Sequence, residues 1–191
     1  MDKQPGAYAT VADLRNDPTR GKLLSGGLFT IVRDDVGDQA LIVVRRSDDA
    51  QFEPGKLQIP SGLCSPGEAG IDTALREFFE EVSITADGVP LAREDGCISV
   101  RNGGGKIYFI PDDGIQKTRS FNLFLFNDER ANTLEMIAFA DIKVRSLSSV
   151  QVVSNEHYHT AHLIHRKDWG DAVTQMVRPT TAAMQTFMHG L

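Results

Sequence analysis

A gapped pattern of glycine, arginine and glutamate across residues 62–84 constrains this chain more than any other feature. Five residues separate its first two members, and seven more lead to an Arg-Glu pair and then to a Glu-Glu pair. A set of identities with such long fixed gaps is far more specific than a single glycine-rich loop. The members are Gly62, Glu68, Arg76, Glu77, Glu80 and Glu81.

The second half of this segment has the periodicity of an amphipathic helix. Apolar residues three and four apart place their side chains on one stripe of a helix, which is then buried against a core. The sequence therefore predicts a helix that packs by one face and leaves the opposite face polar. The apolar residues of the stripe are Ile71, Ala74, Leu75, Phe78 and Val82.

Three carboxylates lie on a neighbouring face of the predicted helix. Glu77, Glu80 and Glu81 stand three and four residues apart, so their side chains project together. Three like charges repel each other, and a hard divalent cation with oxygen ligands relieves that repulsion. Taken alone, the carboxylates would indicate only a solvated acidic face. With Gly62, Glu68 and Arg76 in register, we interpret them as part of a site.

The segment resembles the Nudix box, Gx5Ex7REUxEExGU, in which U is an aliphatic or bulky apolar residue. It fits every specified position except the second glycine, where this chain has Ser83. The resemblance implies an α/β fold, a Nudix-type α/β/α sandwich with a mixed sheet. It also implies a Mg²⁺-dependent or Mn²⁺-dependent hydrolase that acts on the diphosphate linkage of a small molecule, here a nucleoside diphosphate derivative.

The resemblance also assigns roles to residues around the cation. Glu80 and Glu81 match the principal metal-ligand positions, and Glu77 matches a position used as metal ligand or general base. The backbone carbonyl of Ser61 corresponds to another frequent ligand. A further carboxylate from outside the box often completes such sites. Glu129 is our first choice for it, ahead of Glu135 and Asp128, which lie in the same stretch of sequence.

Other residues of the box are expected to support the site and not to take part in the chemistry. Gly62 would let its loop approach the metal because it has no Cβ. Glu68 and Arg76 match a pair that ties the loop to the helix by a salt bridge, and a bidentate pair also supplies orientation. Ser83 stands where a left-handed glycine usually ends the helix. Serine there costs about 1 kcal/mol of backbone energy, unless the helix ends in another way.

Two further features leave alternatives open. Cys64 lies near the position of a catalytic cysteine in isopentenyl-diphosphate isomerases of the same superfamily, although its surroundings do not match them. A non-catalytic, nucleotide-binding or regulatory domain is the other alternative.

The histidine-rich stretch at 157–165 includes His162 and His165, which could share a helix face. We do not assign zinc to it, because no cysteine or carboxylate stands at matching spacing.

Composition agrees with an ordinary enzyme domain. The 191 residues include 41% hydrophobic residues, which fits a single domain over 1–191. The resemblance, extended by the order of the predicted strands, implies a core at about 22–170. The N-terminus lacks an apolar leader, and no apolar run reaches the roughly 20 residues of a membrane helix. We therefore predict a cytoplasmic protein without a membrane partner. A net charge of −6 disfavours a broad nucleic-acid surface. The oligomeric state is open, with a homodimer among the options.

Strand and helix signals surround the box on both sides. Alternating apolar residues and turn signals predict the strands, and Pro179 begins a C-terminal helix. A glycine-rich turn at 102–105 predicts a hairpin. The predicted strands are 27–34, 39–46, 56–62, 96–100, 106–110, 120–127 and 134–142, and a short helix is predicted at 8–17.

Overall fold

The structure is a computed structural model that describes most of the chain from Leu23 onward. The helix predicted at 8–17 and the candidate ligand Glu129 lie outside the described residues. The described residues are 23–66, 68, 70–91, 99–102, 105–108, 123–128, 130–157 and 159–189.

The described residues form twelve strands and three α-helices. The strands are β1 (Leu23–Arg33), β2 (Gln39–Arg45), β3 (Leu57–Gln58), β4 (Ser61–Leu63), β5 (Val82–Ala86), β6 (Val89–Leu91), β7 (Ser99–Asn102), β8 (Gly105–Tyr108), β9 (Leu123–Asp128), β10 (Thr133–Lys143), β11 (Val150–Ser154) and β12 (Thr160–His165). The helices are α1 (Gly70–Glu81), α2 (Trp169–Ala172) and α3 (Arg178–Met188).

The larger sheet is mixed and has β1 and β10 at its centre. Its order is β12-β2-β1-β10-β7-β8, with β3 on β2, β4 on β1 and β9 on β10. β1 and β10 run parallel along their full length, whereas the other described pairings are antiparallel. A smaller antiparallel sheet has the order β11-β5-β6. Because β2 covers only one end of β1, β4 can pair with the other end, and this brings residue 62 to the centre of the fold.

The central strand divides the core into two layers. Leu28 and Val32 of β1 pack on one side of the sheet with Phe78 of α1. Phe29, next to Leu28, packs on the other side with Met184 of α3. This alternation follows from the period of two along a strand, with both faces covered by helices. The α/β/α sandwich with a mixed sheet is therefore confirmed.

The strand predictions are largely confirmed within the described residues, and the turn between β1 and β2 shows why. Gly37 has φ +93°, a conformation that glycine adopts cheaply. The carboxylate of Asp34 accepts the backbone N–H groups of Val36 and Asp38 at 3.1 and 2.9 Å. The predicted hairpin is formed by β7 and β8. The C-terminal helix begins at Arg178, one residue before Pro179.

One sequence expectation about backbone conformation is wrong, and the structure decides one alternative that the sequence left open. The stretch at 160–165 is a strand, so His162 and His165 lie on opposite faces and cannot share a helix face. Ser83 has no positive φ, because α1 ends at Glu81 and the chain continues directly into β5. The backbone cost considered for serine therefore does not arise. None of the helices in the described ranges is long and apolar enough to cross a membrane.

Candidate active site

Glycines allow the carboxylates of α1 to lie directly against the central strands. Gly62 of β4 pairs with Gly26 of β1. A Cβ on Gly62 would overlap the carboxyl group of Glu77, and a Cβ on Gly26 would come within 2.8 Å of the carbonyl oxygen of Gly70. Only glycine permits both approaches. The glycine of the sequence pattern is thus the residue against which Glu77 rests.

Arg76 forms the ion pair with Glu68 that the sequence pattern suggested. Its Nε donates to Oε1 of Glu68 at 2.9 Å, and its Nη2 donates to Oε2 at 3.1 Å. Nη2 also donates to the carbonyl of Leu63 at 3.1 Å, which joins the loop after β4 to the helix. The hydrogen bonds from Arg76 lower the pKa of Glu68 to about 2. A two-point contact of this kind fixes orientation as well as distance.

The remaining donor of the same guanidinium contacts two of the three box carboxylates. Nη1 of Arg76 donates to Oε1 of Glu77 at 2.6 Å and to Oε2 of Glu80 at 3.0 Å. Glu80 is the exposed member, with 57% of its side chain accessible. Burial raises the pKa of Glu77, and Arg76 opposes that rise. Arg76 therefore offsets part of the repulsion among the clustered carboxylates.

Glu81 is the deeply buried carboxylate of the box. Its exposed fraction is 6%, and its Oε2 has no hydrogen-bond partner among the described residues. Burial raises the pKa of Glu81 to about 8, and the negative charges of Glu156 and Glu77 add to the rise. The backbone N–H of Ser61 donates to its carboxylate and partly opposes the shift. An unpartnered buried oxygen is costly and is typical of a site that binds a ligand.

Glu135, the second choice for the outside carboxylate, lies beside Ser61 at the centre of the sheet. It belongs to β10, is 8% exposed and hydrogen-bonds to the side chain of Ser61. Burial raises its pKa to about 7, while the nearby guanidinium of Arg46 opposes the shift. Asp128 lies near enough to add to this rise, but its own carboxylate forms an ion pair with Arg178 and accepts two backbone N–H groups. Within the described part of the chain, Glu135 therefore stands nearer to the box than Asp128 does.

A cavity of about 360 Å³ adjoins the box and runs toward the C-terminal helix. Its near end includes Ser61, Gly62 and Glu135, and its far end includes Val177 and Thr180. The first turn of α3 is fastened there, since Ile59 N–H donates to Thr180 Oγ1 at 3.0 Å. The other lining residues are Leu23, Ser25, Arg46, Phe52, Glu53, Gln58, Leu63, Asp128, Ala131, Thr133 and Pro179.

The side chains provide oxygen donors suited to a hard divalent cation. Glu81 contributes an unpartnered oxygen, and Glu77 and Glu80 contribute carboxylates that Arg76 now contacts. In the described ranges, no three side chains of the types His, Cys, Asp and Glu converge closely enough to form a ready metal centre. The donor chemistry fits Mg²⁺ or Mn²⁺. Full coordination by the box would require Glu77 and Glu80 to exchange the Arg76 contact for the cation.

Two residues near the site lie outside the sequence pattern that identified it. Glu156 lies close enough to Glu81 to affect its pKa, although 75 positions separate them in the chain. Arg46 lines the cavity, and its Nη1 donates to Gln58 Oε1 at 2.7 Å. Neither residue has a spacing relation to the box. Only the pairing of β11 with β5 and the course of β2 bring them to the site.

Cys64, the basis of the isomerase alternative, lies half-buried directly after β4. Burial raises the pKa of its thiol, and a hydrogen bond with Thr73 opposes the rise. A thiol in this state is less ionised than a free cysteine, whereas a nucleophilic cysteine requires a lowered pKa. The surroundings therefore favour a packed loop cysteine.

Comparison with known proteins agrees with the geometry. The family model described as NUDIX domain matches residues 27–130. Nudix hydrolase 3 of Caenorhabditis elegans is 34% identical over 55 residues, which are 29% of this chain and 23% of that protein. The chain thus spans about a quarter of the length of this curated relative.

Solved structures show the same fold at low identity. One is a bifunctional NMN adenylyltransferase/ADP ribose pyrophosphatase from Francisella tularensis, complexed with AMP and a Mn ion. It has a TM-score of 0.59 and 13% identity, over 93% of this chain and 44% of that one. Another is the NUDIX domain of Shewanella oneidensis NrtR complexed with ADP ribose. It has a TM-score of 0.51 and 14% identity, over 94% and 97% of the two chains. Since the family model covers more than half of the chain, this protein belongs to the NUDIX domain family.

Proposed function

We propose that this protein hydrolyses the P–O–P linkage of a nucleoside diphosphate derivative with the help of Mg²⁺ or Mn²⁺. The observation that carries the proposal is Glu81, a buried carboxylate with an unpartnered oxygen beside Glu77 and Ser61. A structural helix gains nothing from such a group, because burying an unpaired carboxylate is costly. A cation would provide the missing partner and recover that cost.

Each residue of the box then has a distinct task. Glu80, Glu81 and the carbonyl of Ser61 would hold the cation, together with Glu77 or with Glu129, which remains a prediction. The cation supplies charge neutralisation and orients the diphosphate. Glu77, if not a ligand, would accept the proton of the attacking water, for which its raised pKa suits it.

The supporting residues act through position. The fork from Arg76 to Glu68 holds the loop that follows β4, the strand of Ser61 and Gly62. Gly62 leaves the space that the carboxyl group of Glu77 occupies. We expect substitutions at these residues to misplace the carboxylates and thereby lower the rate of hydrolysis, since small displacements of catalytic groups slow the reaction strongly.

The cavity supports a nucleotide-derived substrate. Its volume of about 360 Å³ lies within the ordinary range for small-molecule sites and begins at the box. Phe52 offers an aromatic surface, and Arg46 and Gln58 offer polar groups on the lining. The structural neighbours are complexed with AMP and with ADP ribose. An adenosine-containing diphosphate is therefore the first substrate to test.

A nucleotide-binding domain without turnover is the second candidate. It is favoured by the contacts of Arg76, which engage two of the three box carboxylates, Glu77 and Glu80. Such a domain would bind the same diphosphate in the cavity. The unpartnered oxygen of Glu81 supports the enzyme instead, because a binding domain could replace that residue without loss.

We also propose that residues 1–191 act as a single unit. The segment after residue 130 packs on the same sheet and lines the same cavity as the box. A cytoplasmic location and a homodimer remain predictions from the sequence.

The decisive experiment is a panel of diphosphate compounds incubated with the purified protein and Mg²⁺. ADP-ribose, a nucleoside triphosphate and a dinucleoside polyphosphate would represent three leaving-group classes, with phosphorylated products separated by chromatography. Turnover of one class supports the enzyme. Tight binding by calorimetry without turnover of any of them would favour the binding domain.

A further inference from the structure

The loop between β2 and β3 is fastened to the first residue of α3 by an acidic side chain. Oε2 of Glu53 accepts the backbone N–H of Arg178 at 3.2 Å, and Nε of Arg178 lies 3.9 Å from the same oxygen. The guanidinium of Arg178 also forms an ion pair with Asp128, at the end of β9. Both carboxylates belong to residues that line the cavity. Arg178 thus joins the loop to β9 where α3 meets the cavity.

The tip of this loop depends on a contact from another part of the chain. Glu53 has φ +47°, a left-handed conformation that is costly for a residue with a Cβ and persists where the surroundings enforce it. The base of the loop is closed by its own backbone, since the N–H of Gly55 donates to the carbonyl of Ser47 at 3.2 Å. The side chain of Glu53 is only 12% exposed, so its bond to Arg178 forms in a partly dry environment. This bond therefore helps to hold the tip in one conformation.

The held tip carries an aromatic side chain to the cavity. Phe52 directly precedes Glu53, is half-buried and lines the cavity. The residues on either side of Arg178, Val177 and Pro179, add apolar surface to the same lining. Since Arg178 is engaged by two carboxylates, this end of the cavity is poorly suited to a phosphate and well suited to an uncharged ring.

We propose that Phe52 is a specificity-determining residue that packs against the base of the substrate, and that Glu53 and Arg178 are positioning residues that hold its ring at the cavity. This inference rests on the proposed use of the cavity by a nucleotide-derived diphosphate. The diphosphate lies at the box, and the base lies at the end of the cavity that faces α3. Stacking on an aromatic ring accepts every base through its π-face. The contact therefore selects compounds that carry a base and does not select among bases.

The first test measures the loop without metal or substrate. Glu53→Ala removes the loop side of the contact and leaves Arg178 paired with Asp128, so it creates no unpaired buried charge. The N–H groups of Ala50 and Gly55 both donate to the loop carbonyl of Ser47 at 3.2 Å. Their amide hydrogen exchange should become about 3-fold to 10-fold faster in this variant, because the loop opens more often.

Lys56→Ala is the matched control for the exchange experiment. It removes the other ion pair of the same carboxylate, in which Nζ of Lys56 lies 3.6 Å from Oε1 of Glu53. The side chain of Lys56 is 43% exposed, and exposed ion pairs of this kind contribute little. The exchange of both loop amides should therefore stay at the wild-type rate.

The second test compares two ligands that differ only by the base. AMP and ribose 5-phosphate share the sugar and the phosphate, so their dissociation constants, measured by calorimetry with Mg²⁺, isolate the contribution of the base. The wild-type protein should bind AMP at least about 10-fold more tightly. Phe52→Leu keeps an apolar side chain without a ring. It should weaken AMP binding by about 5-fold to 10-fold and leave ribose 5-phosphate unchanged.

Glu53→Ala should act on AMP through Phe52. We expect about 3-fold weaker binding of AMP, unchanged binding of ribose 5-phosphate, and no further loss when the substitution is added to Phe52→Leu. A direct electrostatic effect has the opposite sign, because removing a negative charge would strengthen the binding of both phosphates. In Glu53→Gln the side-chain carbonyl can still accept the N–H of Arg178, so this variant should retain the wild-type preference for AMP. Lys56→Ala should retain it as well.

The outcomes separate this inference from the proposed function. Unchanged amide exchange in Glu53→Ala overturns the positioning role, whether or not the protein is active. Three results overturn the base site even if a diphosphate is hydrolysed: no measurable binding of AMP, equal wild-type affinity for the two ligands, or equal losses for both in Phe52→Leu. If no panel compound is hydrolysed but the losses are selective for AMP, the hydrolase fails and the inference holds for a nucleotide-binding domain.

Discussion

Replacing Glu81 by glutamine should stabilise the metal-free protein, and the gain should depend on pH. Glutamine keeps the size of the side chain and can still accept the N–H of Ser61 through its carbonyl oxygen. Its amide group would replace the carboxylate oxygen that now has no partner and lies near other negative charges. The substitution therefore removes a buried charge while preserving the packing around it.

The magnitude follows from the pKa of Glu81. Burial raises it from 4.5 to about 8. Each unit corresponds to about 1.4 kcal/mol, which sets a ceiling of about 5 kcal/mol for the cost of ionising the group in the folded protein. A charged side chain draws in water and relaxes, so we expect a measured stability difference of about 2 kcal/mol, well below this ceiling. In urea this corresponds to a midpoint shift of about 1 M.

The sign follows from proton binding. The folded protein holds this proton more tightly than the unfolded chain does. The native state therefore loses stability as pH rises from 4.5 to about 8, and loses no more above that value. Glutamine cannot ionise and escapes this loss. The stability difference between variant and wild type should be near zero at pH 5 and largest at pH 9.

Urea unfolding with EDTA at pH 5, 7 and 9 measures the difference. Glu80→Gln is the matched control, because Glu80 is 57% exposed and its ion pair with Arg76 is solvated. Its effect should stay within about 1 kcal/mol at every pH. A Glu81→Gln variant that is less stable than wild type at pH 9, or whose advantage is equal at pH 5 and pH 9, would refute the reasoning.

The remaining predictions concern activity. Glu81→Gln should lower kcat by at least about 100-fold, or about 2.7 kcal/mol of transition-state stabilisation, measured with a hydrolysed panel compound and saturating Mg²⁺; an equally fast variant would remove Glu81 from the site. Chelation should abolish turnover while circular dichroism shows an unchanged fold, since the apolar stripe and not the cation docks α1; full turnover without metal would contradict the mechanism. Arg76→Ala should lower kcat/KM by at least about 10-fold, because it frees Glu68, Glu77 and Glu80 together. The control Arg33→Ala breaks the Arg33–Asp141 ion pair and should retain activity. Gly62→Ala should lower kcat with at most a modest change in melting temperature, because the new Cβ displaces the carboxyl group of Glu77; wild-type activity in this variant would show that Glu77 has no fixed position.

Local periodicity accounts for what the sequence predicted well. The apolar stripe of α1 and the alternation along β1 are patterns within a few turns or residues, and they identify the buried face of each element. The ion pair between Glu68 and Arg76 could also be predicted, because both residues belong to one short segment with a known pattern. From the box we expected Gly62 to allow a close approach to the metal. The box did not show that the carboxyl group of Glu77 lies against this glycine.

The sequence went wrong where local patterns are ambiguous. A stretch of alternating polar and apolar residues with several histidines fits a helix face or a strand, and pairing with β2 makes residues 160–165 a strand. For Ser83 the sequence left open whether the helix has a strained end or ends in another way. Pairing with β11 draws the chain into a strand directly after Glu81.

The different surroundings of the three box carboxylates were decided by the tertiary structure alone. Glu77, Glu80 and Glu81 are equivalent glutamates in the sequence, yet one is exposed, one contacts Arg76 under partial burial, and one is buried with an unpartnered oxygen. The difference arises because β4 and the turn after β11 cover the helix face around Glu81 and leave Glu80 exposed. The same packing brings Glu156 near Glu81, although 75 positions separate the two residues in the chain. Sequence spacing determined which groups lie on one helix face. Burial by distant segments determined which of them has a raised pKa, namely Glu77 and Glu81.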